Sequence, residues 1–136
     1  MKELSIIVPV FNEENSIEKF IIEVEKNIPA KCDYEIVFCM DPSTDDTENV
    51  LINCKEKYKN IRIIKLSRRF GQSLSIKAGL YNCNSNFMII IDVDLQDPVS
   101  LIPELYNKIK DSDYECIYAR RLSRAGETII RKTLVG

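Results

Sequence analysis

The chain has 136 residues, 45% of them hydrophobic and 29% charged, with a formal net charge of -2. That is enough for one domain around one core, too little for a two-lobed enzyme, and too evenly charged for a non-specific nucleic-acid binder. There is no histidine, which removes imidazole bases, imidazole metal ligands and Ser-His or Cys-His nucleophile pairs and leaves the chemistry to carboxylates, amides and cations.

Apolar runs alternate with amphipathic stretches from end to end, the pattern of parallel strands joined by helical crossovers, so the expected class is α/β. Leu4 to Val10 predicts a strand closed by the loop Phe11-Asn12-Glu13-Glu14-Asn15, and Ile17, Phe20, Ile21 and Val24 then recur at helical spacing. Tyr34 to Met40 predicts a second strand. The turn Asp41-Pro42-Ser43-Thr44-Asp45-Asp46-Thr47 supplies an N-cap for a helix running to about Lys57. Ile61 to Leu66 reads as a third strand, Gln72 to Asn82 as a helix, and Phe87 to Ile91 as a fourth strand ending on Asp92-Val93-Asp94. Ile89-Ile90-Ile91 predicts burial of that strand on both faces. Val99 to Lys110 reads as a helix with Pro98 at its first turn, Tyr114 to Ala119 as a fifth strand, and Thr128 to Val135 as a helix-like segment.

Five cysteines, Cys32, Cys39, Cys54, Cys83 and Cys116, are odd in number and form no Cys-x-x-Cys pair, so neither a disulfide framework nor a zinc site is expected. Cys39 and Cys116 sit in apolar runs, where a thiol serves as a small core residue. The start, Met1-Lys2-Glu3-Leu4-Ser5, is too short and too soon acidic for a signal peptide, and no stretch approaches the roughly 18 apolar residues of a membrane span. A cytoplasmic, soluble chain is the expectation.

Ligands of open parallel sheets bind beyond the carboxyl ends of the strands. The residues that follow the predicted strands are Asn12, Glu13 and Glu14, then Asp41, then Asp92, Asp94, Gln96 and Asp97, then Arg120 and Arg121. Asp92 and Asp94, with the Gln96 amide oxygen, can point the same way from an extended segment and offer hard oxygen ligands suited to Mg2+ or Mn2+; a capped turn before Pro98 is the plainer alternative. No acidic residue occurs between Glu56 and Asp92, whereas Lys57, Lys59, Arg62, Lys65, Arg68, Arg69 and Lys77 all fall there. Arg68 and Arg69 follow a strand and precede Gly71, a place suited to neutralising a diphosphate. A second basic cluster, Arg120, Arg121, Arg124, Arg131 and Lys132, suits another anionic group or an anionic lipid surface.

The runs Val8-Pro9-Val10-Phe11-Asn12-Glu13-Glu14, Asp41 to Thr47, Arg68-Arg69-Phe70-Gly71-Gln72, Lys77-Ala78-Gly79-Leu80 and Ile91-Asp92-Val93-Asp94-Leu95-Gln96-Asp97-Pro98 together resemble family 2 glycosyltransferases of the GT-A fold. Within that family the look is of the polyprenyl-phosphate branch. The resemblance implies a Rossmann-like, mostly parallel sheet flanked by helices, forming a single nucleotide-sugar domain over residues 1–136 that is the N-terminal portion of a longer architecture. It assigns Pro9, Phe11, Glu13, Asp41, Arg68, Arg69 and Asp92 to the nucleotide sugar, and Asp92, Asp94 and Gln96 to Mg2+ or Mn2+. Asp94 and Arg120 take catalytic roles, and Arg120 with Arg131 the acceptor phosphate. Two positions depart from the family pattern. Met40-Asp41-Pro42-Ser43 stands where Asp-Asp-Gly-Ser is usual, and Arg69 stands where related bacterial enzymes usually have Asn.

The implied reaction moves a sugar with inversion from a UDP- or GDP-sugar to a polyprenyl phosphate at the membrane surface. A phosphate acceptor is already anionic near neutral pH and needs no strong base, which agrees with a chain lacking histidine. Transfer to a saccharide hydroxyl, a non-catalytic nucleotide-binding module and a receiver-type phosphoacceptor are the alternatives. The last needs a lysine after the final strand, where Arg120-Arg121 stands. No nucleic-acid partner is expected, and the sequence leaves a homo-oligomer open.

Overall fold

A strand buried on both faces loses the polar alternation of a half-exposed one, and Leu4, Ile6, Ile7, Val8 and Val10 are all buried along β1 (Lys2–Val10). The computed structural model describes residues 1–96, 98–121 and 128–133, with side chains through Arg120. β1 is a central strand of a four-stranded parallel sheet with β2 (Tyr34–Met40), β3 (Ile61–Lys65) and β4 (Ser85–Ile90), in the order β3-β2-β1-β4. α1 (Ile17–Asn27), α2 (Thr47–Lys57) and α3 (Gln72–Asn82) connect them, and α4 (Leu101–Lys110) follows β4.

The larger core lies on the face of Leu4, Ile6 and Val8, where Phe20, Ile21 and Val24 of α1, Leu51 and Cys54 of α2, and Ile102 and Tyr106 of α4 pack together. Phe20 meets Phe38 edge-on with ring centroids 6.3 Å apart. Each fully buried Leu, Ile or Phe here is worth about 1.5–3 kcal/mol relative to exposure. The opposite face is thinner: Ile7, Val37 and Cys39 are covered by α3. Burial pushes the Cys39 thiol up to about 12, so it acts as a packing atom rather than a nucleophile.

α4 is tied to β1 by Glu3, which accepts hydrogen bonds from the Tyr106 hydroxyl and from Lys110 Nζ. These two donors hold the Glu3 carboxyl below its ordinary 4.5. A carboxyl depressed in the folded state stabilises the fold at neutral pH, and that contribution fades as pH falls through 4.5 towards the lowered value. Glu3→Gln is therefore expected to lower the thermal midpoint near neutrality and to flatten its acid-side decline, the two curves converging in acid; thermal unfolding across pH reads this.

The helices and the first four strands fall where the periodicity predicts them, within a few residues at their ends. Three expectations are corrected. Thr128 to Val135 was expected to be helical, but Thr128–Thr133 is a strand, β6, paired antiparallel with β5 (Cys116–Arg121) in a separate two-stranded sheet. Its run of β-branched residues, Thr128-Ile129-Ile130, favours the extended state. The fifth strand consequently does not extend the parallel sheet, and Cys116 is exposed rather than buried. Finally, β4 is an edge strand with Ile90 exposed, because α3 covers β1 and β2 and stops short of it. Asp97, Arg124 and Leu134-Val135 lie outside the described residues, as do the side chains of Arg121, Arg131 and Lys132.

Candidate functional site

The chain steps outward through β1, β2 and β3, then returns through α3 on the other face to place β4 beside β1. The strand order therefore reverses between β1 and β4, and a crevice opens beyond their carboxyl ends. A cavity of about 310 Å3 occupies that point, lined by Pro9 near the end of β1, Phe11 and Glu13 after it, Asp41 after β2, Arg69 and Gly71 before α3, Gln72 and Ser75 in its first turn, and Asp92 and Asp94 after β4.

The walls are built by reciprocal hydrogen bonding between loops. Asn12 holds a left-handed φ of 51° that asparagine tolerates. Its amide donates to Ser43 Oγ at 3.1 Å, and its side-chain oxygen accepts from the Thr44 amide at 2.9 Å. The Glu13 amide donates to Thr47 Oγ1 at 2.9 Å, and the Asp46 amide donates to Glu14 at 3.0 Å. The expected cap of α2 comes from Asp45, which accepts from the Thr47 amide at 3.0 Å, while Asp46 at the N-cap position makes no capping bond. The first two loops are thus one unit.

Asp41 is 3% exposed, and its carboxylate is turned inward. It accepts the Phe70 amide at 3.3 Å, the Gly71 amide at 2.9 Å and Ser75 Oγ at 3.1 Å. It thereby pins the N-terminus of α3, where negative charge is favoured. Gly71 adopts φ 90°, ψ 167°, a backbone state costly to any side chain. Asp41→Asn keeps one acceptor oxygen for three donors and is expected to cost about 1–2 kcal/mol, read as a lower denaturation midpoint.

The rim carries opposite charges. The Arg69 guanidinium lies 4.0 Å over the Phe11 ring, a planar pair at the cavity mouth. Among the other lining residues, Gln72 Nε2 donates to Asp92 Oδ1 at 2.8 Å, and Asp94 Oδ1 accepts from the Gln96 backbone amide at 3.1 Å. Leu95, between them, is forced to φ 61°, a left-handed state that costs a non-glycine residue roughly 1–2 kcal/mol and occurs where a loop is shaped for a purpose. Burial and the neighbouring charges of Asp94, Asp45 and Asp92 raise the Glu13 carboxyl above its ordinary value, against a hydrogen bond from Ser16.

Of the residues singled out from sequence, Pro9, Phe11, Glu13, Asp41, Arg69, Asp92 and Asp94 meet in this cavity. Arg68 is not among its lining residues and stacks instead over Phe70 at 4.4 Å. Gln96 is exposed beside the site. Arg120 lies exposed on β5 and is not among the lining residues, and the backbone of Arg131 stands on β6 opposite Tyr118. Gln72 and Ser75 received no role from the sequence. The available signal was the spacing Gly71, Ser75, Gly79, which puts the small residues of α3 on one inward stripe.

Residues 5–134 match the family model described as glycosyl transferase family 2. An uncharacterized glycosyltransferase of Synechocystis is 41% identical over 96% of this chain and 41% of its own length. An undecaprenyl-phosphate 4-deoxy-4-formamido-L-arabinose transferase of Photorhabdus laumondii is 33% identical over 98% of this chain and 41% of its own. The chain thus spans about two fifths of the curated relatives it matches. Among solved structures, a mannosyltransferase of Pyrobaculum calidifontis in complex with GDP-Man and Mn2+ superposes with a TM-score of 0.72 over 85% of this chain and 34% of that one, at 20% identity. That likeness gives the fold, the GT-A arrangement of a mostly parallel sheet flanked by helices. With the family model matching almost from end to end, the chain belongs to glycosyl transferase family 2.

Proposed function

We propose that this chain is the nucleotide-sugar-binding, N-terminal portion of an inverting glycosyltransferase whose acceptor is a polyprenyl phosphate. The observation that carries the reading is the cavity at the β1/β4 reversal, lined by carboxylates together with the Arg69–Phe11 pair. Relatives named for undecaprenyl phosphate support the acceptor class.

The donor set suits Mg2+ or Mn2+. Among the described residues no three acidic or cysteine side chains are grouped closely enough to hold an ion unaided. Two hard carboxylates facing a cavity are nonetheless what such an ion takes when water and phosphate oxygens complete its shell. Burial first, and then the charges of Asp94, Asp45 and Asp92, raise the Glu13 carboxyl, and a cation would relieve the second of these causes. Asp92 and Asp94, with Gln96, would hold the ion, and when bound it supplies positive charge against the departing diphosphate.

The chain's own residues do the rest. Phe11 and Arg69 offer a flat surface for the nucleobase and a cation for the diphosphate, while Asp41 keeps the loop of residues 68–71 in place. A phosphate oxygen of the acceptor attacks the anomeric carbon as the bond to the nucleoside diphosphate breaks. No proton need be removed from the attacking oxygen. Arg120 and Arg131, on paired strands, are the candidates for the acceptor phosphate.

No described helix is long and apolar enough to cross a membrane. The test is calorimetry of UDP and GDP with and without Mn2+, followed by a transfer assay on polyprenyl phosphate with a chain of the relatives' full length. Metal-dependent binding and transfer to the lipid are expected. Binding without transfer to lipid, but with transfer to a saccharide hydroxyl, would move the protein to the hydroxyl-acceptor branch.

A further inference from the structure

A surface helix normally buries one stripe and shows polar side chains on the other. α3 does not. Its inward stripe is Ser75 and Gly79, both buried against the sheet. Outward on α3, at spacings of three and four residues, stand Leu74, Lys77 and Tyr81, with Phe70 exposed in the loop before Gly71. Leu74 is 48% exposed and Tyr81 79%, with Leu80 exposed beside them.

The charges on this stripe and in the loop before it are of one sign and sit on neighbouring rings. Arg68 lies 4.4 Å from the Phe70 ring centroid, and Lys77 5.7 Å from that of Tyr81. No acidic residue occurs between Glu56 and Asp92, so nothing on α3 or its flanking loops opposes an anionic partner. Leucine on the outward face, phenylalanine in the loop leading into it, and a tyrosine and a lysine that pair apolar bodies with polar tips are the composition of a helix resting in a headgroup layer.

We propose that the outer face of α3, with Arg68, docks this domain on an anionic lipid bilayer. Basic side chains at such a surface strengthen binding by roughly fivefold each, and the apolar side chains add insertion. The docking stands on residues outside the cavity. Its consequence, that a lipid phosphate arrives beside the cavity rim formed by Gly71 and Gln72, rests on the function proposed above.

Vesicle flotation tests it. The chain is expected to float with vesicles containing phosphatidylglycerol, more weakly as salt is raised, and poorly with phosphatidylcholine alone. Leu74→Ser with Tyr81→Ser should weaken partition at least about tenfold, and Lys77→Glu should weaken it on anionic vesicles only, with thermal midpoints close to that of the unaltered chain. Absence of flotation, or flotation unchanged in the double variant, overturns the proposal. So does sedimentation showing a dimer that the double variant dissolves while vesicles are ignored, which would assign the stripe to a second copy of the chain. Nucleoside diphosphate binding measured without lipid separates the two readings: its loss with flotation intact removes the proposed function and leaves the docking, and the converse removes the docking alone.

Discussion

Gly79→Ala is expected to lower the stability of the chain by about 2 kcal/mol, although alanine is the better helix former by about 1 kcal/mol. A Cβ built on Gly79 falls 2.7 Å from Cys39 Sγ and 2.7 Å from Ile7 Cγ2. Both are fully buried on the two central strands, and neither can rotate away: Ile7 is β-branched and stiff, and Cys39 is enclosed. Overpacking of this kind costs about 1–3 kcal/mol, and here two contacts are violated at once, so the steric loss exceeds the gain in propensity. For a chain of this size the thermal midpoint should fall by roughly 6–10 °C. Cys39→Ala removes one of the two obstacles, so in a double-mutant cycle the pair should be less destabilising than the sum of the singles by about 1 kcal/mol. Since α3 also carries Gly71, Gln72 and Ser75 into the cavity, any outward shift that relieves the clash loosens the hold of Asp41 and weakens ligand binding with it. A rise in midpoint for Gly79→Ala would mean that α3 does not approach the sheet this closely.

That contact marks the boundary between what the sequence makes legible and what it does not. Central strands such as Ile36-Val37-Phe38-Cys39-Met40 read as strands because burial on both faces removes every polar position, and the loops after them read as the site because parallel sheets bind there. The edge position of β4 was not legible. Met88 and Ile90 look as buried in sequence as Ile7 does, and only the path of α3 decides which of them is covered. The fate of Thr128–Thr133 was likewise open, since a short apolar run carries no period long enough to separate helix from strand. At the site, Asp41 was identifiable as a residue of the cavity but not by its partners. Its carboxylate looks available on paper, and three donors from a segment some thirty residues away take it up. The pairing of Arg69 with Phe11 is also tertiary, and the adjacent Arg68 parts company from it to lie over Phe70 in the loop before α3.

Asp94→Asn should abolish the metal-dependent part of nucleoside diphosphate binding while leaving the fold intact. The Asp94 side chain is exposed on the loop after β4, and the bond it accepts there from the Gln96 backbone amide at 3.1 Å can be accepted equally well by the asparagine oxygen. What is lost is charge. A divalent ion held by two carboxylates and otherwise by water and phosphate depends on each of them, and removal of one is expected to weaken binding in Mn2+ at least roughly a hundredfold, more than disturbing an outer-shell partner does. Binding without the ion should change little, because Arg69 and Phe11 are untouched. The ligand-free midpoint should not fall, since the charge of Asp94 is one of those that hold the Glu13 carboxyl above its ordinary value, and its removal eases a repulsion in the folded state. Asp92→Asn removes the other carboxylate while its asparagine oxygen can still accept from Gln72 Nε2, so the metal-dependent part of binding is expected to fall there as well. If wild-type affinity proves the same with and without Mn2+, or Asp94→Asn binds as tightly as wild type in its presence, the two carboxylates shape the turn before α4, and the arginine side of the cavity must carry the diphosphate alone.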